Sequence, residues 1–328
     1  MFDITKQLTE NNPAVTVRVV FMGTPPFAAT VLEALLRSSC QVVAVYTQPD
    51  KPSGRGHRVV NSAVKRLSLE RQIPVVQTHS LRSSEVVGHL ASLQPDLIVV
   101  AAFGLILPAG VLDLPGSGCL NVHPSLLPRH RGPSPIPSAI LCGDDVTGVT
   151  IMLMDAGLDT GPILTQEQMP IAFTDTAGSL GARLADLGGK LLLETLPGWL
   201  SRELRPQTQD ESRATCSSLL TQEDAEVDWS RSALELWRRA RAYNPWPGFH
   251  TRCQAKRLKI HEAVPLGPVA EGRIGEVVLL SEPPGIGVVT GQGVLGLCRI
   301  QMEGKRDMSA EELARGKRDF VGSVLGSG

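Results

Sequence analysis

The sequence predicts an α/β fold, a mostly parallel sheet with helices on both faces, followed by a small β-barrel unit. Three observations carry that prediction. β-Branched runs alternate with stretches of helical spacing up to residue 200. A polar, aliphatic-poor stretch over 201–221 then interrupts the pattern. Beyond it, after a single helical segment, short strand candidates separated by glycine follow one another without long helices between them.

Taken in order, the first strand is VTVRVVFM, which runs into GTPPFAATVLEALLRSS, where the spacing becomes helical. Strand, glycine turn and helix form the opening unit of a parallel sheet. QVVAVYTQP is the second strand and stops at Pro49. DKPSGRGHRVV, rich in glycine and basic groups, reads as a flexible basic loop ahead of a helix over 62–71. IPVVQ is a short strand, SSEVVGHLASLQ a helix that Pro95 terminates, and DLIVVAAF an apolar strand of the kind buried on both faces. Pro108 and Pro115 break the helical material of GLILPAGVLDLPGSG before the strand CLNVH. A proline-rich loop follows, then a helix start over 138–141, the strand GVTIMLMD, and a glycine-bounded turn into a further strand within AGLDTGPILTQEQMPI. SLGARLADLGGKLLLETLPGWL is the longest helical pattern of this part. At least five of its strands are of the parallel type. RELRPQTQDESRATCSS has the texture of an interdomain linker. SALELWRRARAYN is a helix, and CQAKRLKIHEAV, GRIGEVVLL, GIGVVTGQG and VLGLCRI supply the strands of the second unit.

Composition narrows the class. A 42% hydrophobic fraction supplies a full core, and no apolar run reaches the roughly 18–20 residues of a membrane span. The leader MFDITKQLTENNPA carries Asp3 and Glu10 and has no apolar centre, so it fits neither a secretory signal nor an Arg-rich transit peptide. Cys40, Cys119, Cys142, Cys216, Cys253 and Cys298 are far apart with no CxxC pair, which reads as reduced thiols in a cytosolic protein. A net charge of −1 argues, by itself, against a nucleic-acid binder. The charge is unevenly spread. Residues 50–71 hold six basic groups (Lys51, Arg55, Arg58, Lys65, Arg66, Arg71) against two acidic ones, and 237–260 hold seven (Arg238, Arg239, Arg241, Arg252, Lys256, Arg257, Lys259) against none. A positive face on a neutral protein and ordinary solvated surface both fit these counts.

GTPPFA is neither GxGxxG nor GxxxxGK[ST], and Pro25 and Pro26 remove two N–H donors that a phosphate cradle uses. A nucleotide cofactor is disfavoured there. No GxSxG elbow, HExxH pair or His/Cys cluster is present, which disfavours that type of serine hydrolase and a metal centre. CLNVH is more informative. Asn121 and His123 lie two apart on a strand and so share a side, at the carboxyl end where open α/β sheets hold their ligands. An amide beside an imidazole can donate to an oxygen that becomes negative when a carbonyl is attacked, and the imidazole can relay a proton near neutral pH. The continuation PSLLPRHRGPSPI would hold the pair on a rigid floor. Asp155 and Asp159, flanking AGL in MDAGLDTG, each offer a carboxylate to orient the imidazole and favour its protonated form. The alternative is local: Asn121 and His123 satisfy nearby backbone groups and Asp159 caps a turn. Spacing leaves both open. Trp246 and Phe249, beside arginines, suit either stacking on nucleotides or packing between domains.

FMGTPPFAATVLEAL, VYTQPDKPSGRGHRV, AAFGLILP, GCLNVHPSLLPRHRGPSPI, GVTIMLMDAGLDTGPIL, VDWSRSALELWRRARAYNPWPG, and GQGVLGL with KRDMSAEEL together resemble, in order and spacing over 17–320, the methionyl-tRNA formyltransferases. NVHxSLLPxxRG and DxGLDTG are similar to segments of the wider family that transfers or hydrolyses the formyl group of 10-formyltetrahydrofolate. QPDKPSGRG and the C-terminal unit point to the tRNA enzymes in particular. The resemblance implies a Rossmann-like catalytic domain over 17–206 after a leader of residues 1–16, a linker over 207–221, and an OB-like, tRNA-binding β-barrel over 222–328. It implies a catalytic group of Asn121, His123 and Asp159. In that scheme the α-amine of methionine, esterified to initiator tRNA, attacks the formyl carbon. Asn121 and protonated His123 stabilise the oxyanion, Asp159 orients the imidazolium, and neither a metal nor a covalent enzyme intermediate takes part. A site for 10-formyltetrahydrofolate is implied around Ala102, Phe103, Gly104, Leu105, Ile106 and Leu107, around Ser125, Leu126, Leu127 and Pro128, and around Met154, Asp155, Ala156, Gly157 and Leu158. Contacts to initiator tRNA are implied for Lys51, Arg55 and Arg58 in the basic loop and for Arg238, Arg239, Lys256, Arg257 and Lys305 beyond the linker. Such phosphate contacts depend strongly on salt and little on sequence, so selectivity would come from how easily the tRNA end opens. A cytoplasmic, monomeric enzyme without membrane association is expected.

The chain departs from the commonest pattern at Pro124, where a glycine follows the catalytic histidine, at His130, where an aromatic precedes RG, and in GPSPI for GAAPI. Pro124 restricts His123 to extended angles. Two further functions share the same motifs: formyl transfer to another amine, such as a nucleotide sugar or phosphoribosyl amide, or hydrolysis of the donor. An RNA-binding protein that keeps the fold without the chemistry is the non-enzymatic alternative, and the intact trio weighs against it.

Overall fold

The opening unit forms as its residues require. β1 (Arg18–Gly23) is buried from Val19 onward, and Pro26 begins α1 (Pro26–Leu35), where its missing N–H would lack a helical partner in any case. The structure, a computed structural model, describes residues 16–53, 58–268 and 271–326. The chain continues through β2 (Gln41–Thr47) into a short antiparallel pair, β3 (Lys51–Ser53) and β4 (Arg58–Val60), in which Lys51 lies opposite Val60. The basic loop therefore has paired strands at its base. Next come α2 (Ala63–Glu70), β5 (Val75–Gln77), α3 (Ser84–Ser92) and β6 (Leu97–Ala101). Ser62 and Ser83 cap the two helices by accepting from the N–H groups of Lys65 and Val86. Only α4 (Ala109–Leu112) survives of the proline-broken helical material, and it leads to β7 (Cys119–His123). The helix expected from residue 138 begins earlier, as α5 (Pro135–Cys142), because Pro135 suits a first turn. β8 (Val146–Leu153), β9 (Ile163–Pro170) and α6 (Ala177–Leu200) complete the first part.

The strand order is β5-β2-β1-β6-β7-β8-β9. The first five strands are mutually parallel, as expected, while β8 and β9 extend the sheet antiparallel. Order reverses between β1 and β6, and a crevice beyond the carboxyl ends at such a switch point is where open sheets bind ligands. β6 and β7 are buried at every residue. Along α6, a Cβ at Gly188 would come within 2.8 Å of Val122 on β7, and one at Gly189 within 2.7 Å of Ala34 on α1. Two glycines thus let the longest helix lie directly on the strand that carries the site.

The second part contains α7 (Ala233–Ala242), β10 (His250–Cys253), β11 (Lys256–Leu266), β12 (Val277–Leu279), β13 (Ile286–Val289), β14 (Val294–Met302), β15 (Met308–Ser309) and α8 (Ala310–Gly316). Its antiparallel sheet has the order β10-β11-β14-β13-β12, with β15 beside β14. α7 joins the two parts. Trp237 packs on Phe173 at 4.4 Å between ring centres, and the Arg241 guanidinium lies 3.7 Å above the Trp237 ring, a contact worth about 1 kcal/mol. Arg241 also donates to the carbonyls of Ala172, Phe173 and Asp175. One buried apolar cluster consequently runs from Val19 and Leu32 through Ile140 and Trp237 to Leu258 and Ile300. Residues 207–217 are no free tether: Gln207 pairs with Ile163, and the Arg131 carbonyl accepts from the Ser217 N–H at 2.7 Å.

Candidate active site

β7 lies between β6 and β8, with Asn121 opposite Val100 and His123 opposite Thr150. Period-two alternation puts both polar side chains on one face at the strand's carboxyl end. The loop after β8 returns Asp159 to them. Asn121 Nδ2 donates to Asp159 Oδ1 at 3.2 Å, and the Gly132 N–H donates to Asp159 Oδ2 at 2.8 Å. His123 Nδ1 lies 3.6 Å from Asp159 Oδ2, while Nε2 contacts the His130 carbonyl at 3.1 Å. A carbonyl can only accept, so Nε2 carries a proton. On the other side the 3.6 Å separation is longer than a hydrogen bond, so Nδ1 and the carboxylate face each other without one. The choice between the two aspartates is resolved by what each one touches. Asp155 caps its own turn through the Gly157 N–H and the Thr160 hydroxyl, whereas Asp159, held at φ +53°, reaches the pair on β7.

Burial governs the imidazole. His123 is 4% exposed, and desolvation pushes it below its ordinary value of 6.5, while Asp159 and the His130 carbonyl pull it back up. Desolvation is the larger influence, so in this pocket the imidazole sits below its ordinary value despite the Asp159 carboxylate beside it. The His130 ring is itself fixed by Asp144, 2.7 Å away, which also binds Arg129. Pro124 leaves this geometry intact, because His123 is already extended as the last residue of its strand.

Sequence reasoning missed the residues that brace this group. Gln209 donates to the carbonyls of Asp159 and Gly161 and accepts from Arg131, whose fork also grips Glu211. Thr215 accepts from the His130 N–H, and the Ser217 hydroxyl accepts from the Ser134 N–H and donates to the Arg131 carbonyl. Gly132 sits at φ +103°, where a Cβ would also come within 3.0 Å of the Ser217 carbonyl, so only glycine suits both its backbone angle and the close strap. These partners stand 48–86 residues apart in sequence, and their one signal, a polar cluster, is the signal of a linker.

The expected folate-lining residues divide into two sets. Ile106 (73% exposed) and Leu158 (62%) present bare apolar side chains, and Ala102, Gly104, Ala156 and Gly157 are open to solvent, with Leu105 and Met154 partly so. Leu126 and Pro128 are half-buried. Phe103, Leu107, Ser125 and Leu127 do not line an open crevice. They are buried, the Ser125 hydroxyl donates to the Arg129 carbonyl, and the Leu127 N–H donates to Thr150. These four belong to the walls behind the site. Phe103 still contributes its carbonyl, which holds Gln48 and Thr24 across the crevice.

The basic residues divide likewise. Lys256, Arg257 and Lys305 are exposed. Arg238 instead packs over Gly143 at the carboxyl end of α5, where the helix dipole favours a cation. Arg239 is held by the Tyr243 hydroxyl at 3.2 Å. Both are half-buried and engaged in packing. Lys51 and Arg58 lie at ends of the β3–β4 pair, and Arg55 lies outside the described residues. No group of three or more His, Cys, Asp or Glu that could hold a metal occurs among the described residues.

Comparison with known proteins covers both parts. Residues 17–196 match the formyl transferase family model, and 219–318 match the model of the formyl transferase C-terminal domain. The methionyl-tRNA formyltransferase of Pseudomonas paraeruginosa is 47% identical over 312 residues, covering 94% of this chain and 100% of that one. The one from Marinobacter nauticus is 46% identical over 305 residues, covering 93% and 98%. Among solved structures, HypX from Aquifex aeolicus in complex with tetrahydrofolic acid shares the fold at TM-score 0.60 and 18% identity, over 93% of this chain and 48% of that one. The N-formyltransferase from Helicobacter canadensis, solved with folinic acid and dTDP-3-aminofucose, does so at TM-score 0.59 and 17% identity, over 86% and 99%.

Proposed function

This chain belongs to the methionyl-tRNA formyltransferase family, and on that premise we propose how its own residues carry out the reaction. It is a transferase that moves the formyl group of 10-formyltetrahydrofolate to the α-amine of methionyl-tRNA for the start of translation. One observation carries the site: a buried amide and imidazole on β7 meet a single carboxylate from another loop.

Asn121 gives one amide hydrogen to Asp159 and has a second for the formyl oxygen, where charge gathers as the amine attacks. One well-placed donor of this kind is worth about 3–4 kcal/mol of barrier. His123 Nδ1, with its lone pair available, takes the proton from the attacking nitrogen. The imidazolium so formed lies beside Asp159, which stabilises its charge, and it returns the proton to the departing folate nitrogen as the carbon–nitrogen bond breaks. The amine gains the formyl group and the folate leaves with the proton. Ile106 and Leu158 fit a planar apolar ring on the loops beside the crevice, and the 102–105 backbone offers polar groups for the edge of that ring.

The C-terminal sheet serves the tRNA, and we take it to curl into an OB-like barrel. Irregular register between β11 and β14 at Ile260/Glu262 and Glu262/Ala263 supports such bending. Lys256, Arg257 and Lys305 supply phosphate contacts, Lys51, Arg55 and Arg58 approach the acceptor end, and initiator tRNA is preferred. The domains run over 17–206 and 222–328, with 207–221 joining them. One chain supplies both the site and the basic face, which supports a monomer. No helix among the described residues is long and apolar enough to cross a membrane, and the nature of the substrates supports a cytoplasmic enzyme.

The test is incubation of the full chain with 10-formyltetrahydrofolate and either initiator or elongator Met-tRNA. Transfer to the initiator alone is expected. Equal transfer to both would remove the selectivity, and transfer to free methionine or an amino sugar at a comparable rate would remove the assigned acceptor.

A further inference from the structure

Residues 197–218 lie between the two family-matched regions, and their polar texture is that of a connector. Gln209 does not behave as part of one. It is 5% exposed, and its amide is engaged on both sides. Nε2 donates to the Asp159 carbonyl at 2.8 Å and to the Gly161 carbonyl at 2.7 Å. Oε1 accepts from Arg131 Nε at 3.1 Å and Nη2 at 2.9 Å. The residue after Arg131 is Gly132, whose N–H holds Asp159 Oδ2 at 2.8 Å. A single amide therefore ties the backbone on either side of the Asp159 turn to the loop that grips the Asp159 carboxylate. Asp159 stands in the left-handed region, which costs a non-glycine residue about 1 kcal/mol, so something must hold it there. Two hydrogen bonds to carbonyls at 159 and 161 do so.

We propose that Gln209 is a positioning residue of formyl transfer: through Arg131 and the two carbonyls it fixes where the Asp159 carboxylate stands relative to Asn121 and His123. One residue of the segment joining the domains thereby serves the site, while exposed neighbours such as Ser212 do not touch it. The inference rests on the role given to Asp159 above. Gln209 touches no reacting atom, so its loss should slow chemistry while leaving substrate affinity in place. A displacement of about 1 Å at a catalytic group can cost about 10²-fold.

Gln209→Met keeps the volume and removes both donors. Gln209→Glu keeps an acceptor for Arg131 and turns negative charge toward two carbonyls. In the full chain, kcat should fall about 10²-fold in both variants, with KM for Met-tRNA and for the folate within about threefold of the parent. Ser212→Ala, exposed on the same strap, should match the parent. A second measurement needs no turnover. The Gly132 amide should exchange its hydrogen at least about tenfold faster in Gln209→Met, while amides of β7 and β14 keep their protection. Unchanged kcat, a loss confined to KM, or unchanged Gly132 exchange would each overturn the proposal. If Gln209→Met does not fold, Gln209→Glu decides by the same two readings. Absence of formyl transfer by the parent would sink the assigned function instead, and the exchange experiment would still decide whether Gln209 holds the turn.

Discussion

Asn121 on β7 is buried and gives an amide hydrogen to a carboxylate 38 residues away, whereas Lys256, at the start of β11, stands in solvent. The contrast extends to their neighbours. His123, Arg131 and Gln209 are all buried and bonded to other elements. Around Lys256, the residues Arg252, Arg257 and Lys305 are exposed on β10, β11 and the turn after β14. Moving a proton and stabilising charge on the oxygen of an attacked carbonyl needs polar groups fixed before the substrate arrives, in a place where water does not screen them. Holding a phosphate backbone needs accessible cations that displace the counterions condensed on it. The polar groups of the first region satisfy one another, and the cations proposed for the second are mostly left exposed.

The sharpest way to break this contrast is to truncate the buried polar pair on β7. Asn121→Ala and His123→Ala should each lose at least about 10²-fold in kcat in single-turnover assays, with little change in tRNA binding. Retained kcat in both would place the chemistry elsewhere.

A smaller effect concerns pH. Burial holds His123 below its ordinary value in the folded chain, while the unfolded chain takes up a proton near 6.5. The unfolded state then binds more protons, so the contribution to stability is lost as pH falls below that value. Melting temperature should decline toward acid more steeply in the parent than in His123→Gln. Activity should also fall on the acid side, as Nδ1 becomes protonated. In Asp159→Asn that limb should move to lower pH, since the Asp159 charge is what raises the imidazole. A limb that stays in place would mean that the carboxylate does not act on His123.

The smallest effect belongs to the exposed region. Lys256→Ala, Arg257→Ala and Lys305→Ala should each raise KM for tRNA only a few-fold at moderate salt and leave kcat unchanged. Each should lower the slope of log affinity against log salt by about 0.7–0.9. Arg238→Ala should differ in kind, reducing thermal stability more than the salt slope, because its guanidinium packs over the end of α5.

Part of this was legible along the chain. The alternation of CLNVH put Asn121 and His123 on one side, and the parallel strands up to β7 follow from β-branched runs separated by helical spacing. The charge of 237–260 was legible too, although not its division. Arg238 and Arg239 count with Lys256 in composition, yet on α7 they face the packing between elements. Asp155 and Asp159 were equivalent in sequence because each flanks the same glycine turn. Only the fold of the 155–162 loop gave one to its own backbone and the other to β7.

The strap marks the boundary between what the chain's order determines and what its fold decides. Local pattern determined most strands and the two polar groups at the carboxyl end of β7, because periodicity and turn chemistry act over a few residues. The tertiary structure alone decided which carboxylate meets them, how deeply the histidine is buried, and that an apparent linker braces that group. Those outcomes depend on desolvation and on hydrogen bonds between residues as many as 86 positions apart, and separations of that size leave no period in a sequence.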